Sequence, residues 1–262
     1  MMGTHHALCG AAAWVALTSS TPALPSLALL PLPPEQVAVG AILCAGAALL
    51  PDADHPSATI AHSVPVAGRV ATGVVSNLAG GHRRGTHSLV AAGGVLFLAL
   101  GMLGADWGGA VPSDPRTLAC AAVGAGLLAF ALKVLGLARG WARAWLAGAG
   151  GALAITLAVP EQWAYLGAIV AVGWIAHLAG DLLTTGGLPL LWPLTPRAPR
   201  GFSRIPVLGR MWLRSGNVAV PILGNTGSRR EWALLIPIGA YATAGVTLSA
   251  SALLGAGGAG GG

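Results

Sequence analysis

Three short motifs bring together histidines and aspartates that could bind a divalent metal ion. Residues 50–56 read LPDADHP, residues 81–88 read GHRRGTHS, and residues 177–181 read HLAGD. Imidazole and carboxylate ligands together suit Zn²⁺, Mn²⁺ or Fe²⁺, and a set of more than four ligands allows two ions. We favour one or two ions of Zn²⁺ or Mn²⁺. Such ions activate water, so the motifs together predict a hydrolytic metal site.

The first motif places Asp52 and Asp54 between two prolines. Proline disfavours helix at the residue before it, so we expect an extended stretch in which both carboxylates point to one face. The two aspartates could also be ordinary polar residues at the end of a helix. Carboxylates this close to hydrocarbon are costly, however, and are usually functional. We predict both as ligand candidates, with Asp54 as the general base.

The second motif places His82 and His87 around the start of an apolar segment. Gly85 permits a sharp turn there, and Thr86 is available as the N-cap of a following helix. Arg83 lies between the two histidines. It could neutralise lipid headgroups, as many basic residues beside a membrane do, or bind a substrate phosphate. We include it as a catalytic candidate.

The third motif places His177 and Asp181 on one helical face, because they are four residues apart. They could share a metal ion or form a hydrogen-bonded pair between helices. His6 begins the first apolar segment and can reach the same face; the adjacent His5 makes the register ambiguous, and we choose His6. The predicted metal ligands are His6, Asp52, Asp54, His82, His87, His177 and Asp181.

The elements that must position these residues are membrane helices. The chain is 55% hydrophobic and only 8% charged, with a mean hydropathy of +0.73, against about 25% charged residues in soluble proteins. Apolar segments long enough to approach the roughly 20 residues of a spanning helix occur at 6–24, 35–50, 87–105, 117–138, 142–159, 163–183 and 232–254. These predict an all-α, polytopic transmembrane helix bundle of six or seven spans.

We expect residues 1–254 to form one integral membrane domain. Prolines crowd the turn after the first segment, so residues 6–50 either cross twice or form a re-entrant hairpin. Residues 185–231 are predicted to form a small irregular cytoplasmic cap, and residues 255–262 a flexible Gly/Ala tail. The three cysteines stand singly in apolar stretches, which argues against disulfides or a thiolate site.

Alternating the spans sorts the charged residues by membrane face. All 14 basic residues except Arg116 then lie on or near one face, as do all seven histidines. The positive-inside rule assigns that face to the cytoplasm. We therefore predict a multi-pass inner or plasma membrane protein whose metal site faces the cytoplasm. Topology accounts for most of the +6 charge, so we expect no nucleic-acid partner. No motif specifies an oligomeric state.

The ordered series of motifs resembles the family of membrane-bound metal-dependent hydrolases named after the SOS-regulated inner-membrane protein YdjM. The matching elements are His6, then LPDADHP, then HRRGTHS from His82, then AHLAGDLLTTGGLPLLWP from Ala176. The resemblance implies a metal-dependent hydrolase of the SOS response. It also implies that Glu231, in TGSRREW, is a second-rank ligand candidate. Ala176, in place of a serine or similar residue, puts any hydroxyl role there in doubt.

We expect the reaction to be hydrolysis of a phosphate ester of a lipid or isoprenoid embedded in the bilayer. Arg83, or an arginine from 197–214, would stabilise the developing negative charge. One rival is a divalent metal-ion transporter or sensor, although transport sites tend to lie near the midplane of the membrane. A membrane regulator with a structural metal is a third possibility.

Overall fold

A computed structural model describes residues 1–105 and 113–259. This part of the chain is helical and contains no strand, which confirms the all-α prediction. The helices are α1 (Gly3–Thr18), α2 (Pro34–Ala47), α3 (Ala67–Ala79), α4 (Leu89–Leu103), α5 (Pro115–Val134), α6 (Trp141–Ala158), α7 (Leu166–Leu182), α8 (Leu208–Met211) and α9 (Arg229–Ala259).

Within the described residues, four helical segments are long and apolar enough to cross a membrane. They are Pro34–Asp54, Pro115–Val134, Pro160–Leu182 and Arg229–Ala252. The predicted count of six or seven spans is not confirmed. The 16 residues of α1 and the 15 of α4 rise by only about 24 Å or less, against a hydrocarbon thickness of about 30 Å.

The core of the bundle is built on α2, which packs against α1, α5, α7 and α9. Small residues let the backbones meet. A Cβ on Gly46 would collide with the backbone of Leu127 in α5, and one on Gly173 in α7 would lie 2.7 Å from the Ala48 nitrogen. Close backbone contact is the usual way for helices to associate in lipid. These contacts fix the end of α2 against α7, where the metal-ligand candidates lie.

Four predicted motif segments meet at one end of this bundle. α1 begins there and α2 ends there, because the two helices pack antiparallel: Gly40 lies against Trp14, and Gly10 lies against Cys44 and Ala48. The linker between them is hydrogen-bonded to the last turn of α1, from Leu27 to Ala16 (2.7 Å) and from Leu32 to Thr18 (3.0 Å). The turn before α4 and the last turn of α7 reach the same end. The chain topology therefore collects the early histidines and all three metal-ligand motifs.

The loop between the second and third predicted spans contains a helix that the sequence analysis does not predict. This helix, α3, buries Gly68, Thr72 and Ala79 against the turns around it. Its other face exposes Val70, Val74 and Leu78. Apolar side chains at positions i, i+4 and i+8 lie on one face of a helix, so the spacing could have revealed α3.

The predicted cap contains little regular structure. Residues 184–228 hold the short α8, one 3₁₀ turn, and three isolated bridges, among them Leu188 with Val218 and Thr184 with Gly224. Of the predicted tail, 255–259 continues α9, and 260–262 lie outside the described residues. The same is true of 106–112, in a loop predicted on the opposite membrane face.

Candidate metal centre

The seven predicted ligands lie together at this end of the bundle. Five of them are buried, and two are partly exposed: the side chain of Asp52 is 27% accessible and that of His82 is 35% accessible. Burying so many ionisable groups is costly unless they are paired or bind metal. The burial of these side chains therefore has to be offset, either by pairing among themselves or by a bound metal ion.

His177 has a fixed orientation. Its Nδ1 lies 2.7 Å from the carbonyl oxygen of Ala48 at the end of α2. A carbonyl can only accept, so Nδ1 carries the hydrogen and donates it, and in the neutral ring Nε2 keeps its lone pair. The close contact between Gly173 and α2, one helical turn earlier, permits this approach. Fixing one ring nitrogen by a hydrogen bond is how proteins orient histidine ligands.

His87 is oriented through Thr86. The Thr86 hydroxyl donates to Oδ2 of Asp54 at 2.5 Å, so its oxygen is free to accept from Nδ1 of His87, 2.9 Å away. Nε2 of His87 thus faces the cluster. Burial lowers the pKa of His87, but hydrogen bonds and charges from Asp52 and Asp54 outweigh it and raise that pKa overall. The carboxylates thus favour a positive charge at this position.

The ring nitrogens converge with two carboxylates. Nε2 of His87 lies 3.2 Å from Nε2 of His177. Oδ1 of Asp52 lies 3.5 Å and 3.6 Å from these two atoms, and Oδ2 of Asp181 lies 3.8 Å from each. Ligand atoms about 2.0–2.1 Å from a tetrahedral ion are about 3.3–3.4 Å apart. The donor set therefore fits a divalent metal ion.

His6 extends the cluster towards α1. Its ring stacks on His177 with centroids 3.7 Å apart, and its Nε2 lies 3.3 Å from Oδ1 of Asp181, which the Met1 amino group also contacts. Its buried Nδ1 has no hydrogen-bond partner among the described residues. Three overlapping sets have ligand atoms within 4.8 Å of one another: His6–Asp52–His177, His87–His177–Asp181 and Asp52–Asp54–His82. This arrangement has enough donors for one or two ions.

The structure separates Asp52 from Asp54. Pro51–Asp54 is a turn of 3₁₀ helix, so the predicted extended stretch is wrong and the two carboxylates do not share a face. Pro51 occupies the first position of the turn, where a missing N–H costs nothing, and Pro56 follows the turn. Asp54 points inwards, accepting from Nδ1 of His82 (2.8 Å) and the backbone N–H of Arg83 (2.9 Å) as well as from Thr86.

An open pocket of about 460 Å³ gives access to the cluster. Its polar lining includes Asp52, His55, Ser57, His82 and Arg83. Arg83 adopts a positive φ of 54°, which is uncommon outside glycine. That conformation lets its N–H bind Asp54 while its guanidinium lies 3.0 Å from Oδ2 of Asp181. The pocket thus combines one candidate ligand carboxylate, Asp52, with the guanidinium of Arg83.

Glu231 lies beside His5. One of its oxygens contacts Nδ1 of His5 and accepts from the N–H of Met2 (3.0 Å), and the other accepts from Gly227 (2.7 Å). Adjacent helical residues point in different directions, so His6 enters the metal-ligand cluster while His5 joins α1 to α9. Two buried histidines in succession do not reveal which one has which role.

Thr86 has a role that its position in the sequence does not reveal. The motif makes Thr86 available as the N-cap of α4, but that cap is Ser88, whose hydroxyl accepts from the N–H of Ala91 at 3.2 Å. Thr86 instead joins Asp54 to His87. In a Thr-His-Ser sequence both hydroxyl residues are good caps, so their order could not decide between them.

Comparison with known proteins identifies one family. The profile described as YdjM inner membrane protein matches residues 1–252, nearly the whole chain. No curated protein and no solved structure matches. The profile thus covers every segment that contributes to the metal-ligand cluster.

Proposed function

Since the chain belongs to the YdjM inner membrane protein family, we propose that it is a membrane-bound metal-dependent hydrolase acting on a phosphate ester of a lipid or isoprenoid. The observation that carries the proposal is the pair of Nε2 atoms, on His87 and His177, that face each other beside two carboxylates and an open polar pocket. Hydrogen-bond acceptors, the Ala48 carbonyl and the Thr86 hydroxyl, orient the two imidazole rings, and the pocket leaves room for a substrate group.

His87, His177 and Asp181 form the most enclosed ligand set, and His6 extends it through His177. A divalent ion held there would supply a Lewis acid that activates water and polarises the ester. The hydrogen bonds to Ala48 and Thr86 keep the two imidazole rings in the ligand orientation. Such outer contacts raise ligand basicity and metal affinity.

We assign the general base to Asp52. Asp54, the residue that the sequence favours for this role, is buried and accepts hydrogen bonds from His82, Arg83 and Thr86. A carboxylate held by three donors is a weak proton acceptor but a good positioning group. Asp52 is partly exposed and lines the pocket, where it can reach a water beside the substrate.

Arg83 binds the substrate phosphate in this proposal. Its side chain is 28% exposed in the pocket, and its backbone is fixed by Asp54. A guanidinium suits phosphate oxygens because it can donate two parallel hydrogen bonds. Among the described residues that line the pocket, Arg83 is the only arginine, so it is favoured over the arginines of 197–214.

The cytoplasmic orientation of the site is part of the proposal and rests on the distribution of basic residues. A metal-ion transporter remains the rival function. It is less well supported because the ligand cluster lies at one end of the helices, whereas transport sites tend to lie near the midplane.

The test is phosphate release by purified protein in detergent, loaded with Zn²⁺ or Mn²⁺. Phosphatidic acid, a long-chain prenyl phosphate and soluble p-nitrophenyl phosphate serve as substrates. We expect release that EDTA abolishes, that His177→Ala abolishes and that His62→Ala, at an exposed histidine, leaves unchanged. Arg83→Ala should lower kcat/KM while metal content is retained. Metal-loaded protein that releases no phosphate from any substrate, but carries metal into vesicles, would establish the rival.

A further inference from the structure

An apolar groove of about 630 Å³ lies on the side of the protein next to the metal-ligand cluster. It runs between α3 and α4, with α7 and the cap at its ends. Its volume is in the range of small-molecule sites. The lining residues that matter here are Leu78, Thr86, Val90, Gly94, Trp174 and Trp192.

The groove and the metal-ligand cluster share a wall. Thr86 lines the groove, and its hydroxyl bonds both Asp54 and His87. Its carbonyl accepts from the indole N–H of Trp174 at 3.1 Å, so the ring of Trp174 is held in the groove with its polar atom satisfied. The inner end of the groove is therefore one residue from a metal-ligand candidate.

The polar pocket reaches the same turn from its other side. His82 and Arg83 line the pocket, while Gly85 and Thr86 line the groove. The five successive residues 82–86 thus separate the charged pocket from the apolar groove. This arrangement matches an amphiphile with a phosphate at one end and a hydrocarbon chain at the other.

The surface around the groove is suited to lipid. On α3, Leu78 is 79% exposed, and on α4, Phe97 and Leu98 are 76% and 66% exposed. Exposed apolar side chains at this density are expected where a protein meets hydrocarbon. A chain that enters the groove from this side comes from the bilayer, not from water.

Gly94 keeps the groove open. A Cβ at this position would meet no atom within 4 Å, so packing does not require glycine. Glycine inside a helix is destabilising relative to alanine. The neighbouring Gly93 has equally free space but does not line the groove. The same substitution can therefore be made at both glycines: a larger side chain at 94 would fill the groove, whereas one at 93 would occupy open space elsewhere on α4.

We infer that the groove between α3 and α4 holds the hydrocarbon chain of the substrate while its phosphate lies in the polar pocket beside Arg83. The inference rests on the proposed function and narrows it to membrane phosphate esters with a long chain. Gly94 and Trp174 are then specificity-determining residues, and the substrate enters sideways from the bilayer.

Kinetics with Gly94→Leu and Gly93→Leu test the inference. Leucine at 94 fills the groove, so we expect at least a tenfold lower kcat/KM for long-chain phosphatidic acid, mainly through KM, and no change for p-nitrophenyl phosphate. Leucine at 93 should change neither substrate. Equal activity of both variants on the long-chain ester would overturn the inference and leave the hydrolase intact.

Photo-crosslinking tests the groove without any turnover. The probe is phosphatidic acid with a diazirine in its chain, and the control is diacylglycerol with the same diazirine chain. We expect the phosphate probe to label α4 near Gly94 and to lose this labelling in Gly94→Leu but not in Gly93→Leu. Equal labelling by both lipids would show that bulk lipid fills the groove, which would refute the inference even if no substrate were hydrolysed.

Discussion

Nε2 of His87 and Nε2 of His177 face each other at 3.2 Å, although the two residues are 90 positions apart in the chain. A neutral His177 cannot supply a hydrogen to this contact, because its single N–H, at Nδ1, donates to Ala48. Two lone pairs at this distance repel each other unless a cation lies near them. A proton on His87 satisfies the contact, and so does a metal ion, which would displace that proton.

The first prediction concerns His177→Ala. Removing this ring takes one ligand from each of two overlapping sets, so bound Zn²⁺ or Mn²⁺ should fall to background. Loss of an orienting contact alone typically costs 10–100-fold in metal affinity, and loss of a ligand should cost about 100-fold or more. Elemental analysis of detergent-purified protein measures the metal-to-protein ratio.

His62→Ala is the control for that experiment, since His62 is exposed and belongs to none of the three ligand sets. It should retain the ratio of the parent chain. Equal metal content in His177→Ala and the parent chain would refute the ligand assignment, provided that both proteins elute as single peaks in size-exclusion chromatography.

The second prediction concerns Thr86→Val. Valine keeps the shape of threonine but removes the hydroxyl that joins Asp54 to His87. Without that acceptor, Nδ1 of His87 loses its fixed hydrogen bond, and we expect metal affinity to fall about 10–100-fold. Thr86→Ser keeps the hydroxyl and should retain most of the affinity. Competition with a fluorescent chelator measures both constants, and equal affinities would show that the hydroxyl has no orienting role.

The ligand set could be predicted from sequence because its residues occur in short motifs that the chain places at one end of its apolar segments. Their individual roles could not. Asp52 and Asp54 differ by only two positions, yet a 3₁₀ turn exposes one to the pocket and buries the other. The direction of a turn depends on what packs beneath it, here the turn before α4, which lies 28 or more residues further along.

The all-α class also follows from composition, since only helices satisfy their own backbone groups within one segment in lipid. The helix lengths do not follow. The predicted segment 6–24 extends past the end of α1 at Thr18, but Ser19, Ser20 and Pro22 follow, and the linker hydrogen-bonds to the last turn of the same helix. The helix α3 was missed because it is too short and too polar for a span, although its apolar positions recur at helical spacing.

The third prediction concerns Glu231→Gln. Glutamine has one carbonyl oxygen, so it can accept from Met2 and His5 or from Gly227 but not from both sides, and its remaining hydrogen bond loses the negative charge. Charge-assisted hydrogen bonds contribute more than neutral ones, and a buried donor is left without an acceptor, so the free energy of unfolding in detergent should fall by about 1–3 kcal/mol. Because Glu231 pairs with His5 outside the ligand sets, metal content should not change. Asp181→Asn, in contrast, should lose metal. Loss of metal in Glu231→Gln would make Glu231 a ligand after all.

The fourth prediction concerns membrane orientation. Ser57 is exposed beside the polar pocket, and Ala23 is exposed in the linker at the far end of α1. In a chain whose cysteines at 9, 44 and 120 are replaced, Ser57→Cys and Ala23→Cys should react differently with a maleimide that cannot cross the membrane. If the basic face is cytoplasmic, the reagent should label position 23 and not position 57 in intact cells, and it should label both positions in permeabilised cells.

Labelling of position 57 alone in intact cells would reverse the orientation and move the metal centre to the outer face. Labelling of both positions in intact cells would mean that residues 6–50 re-enter the face from which they start, since only a complete crossing puts the two positions on opposite sides.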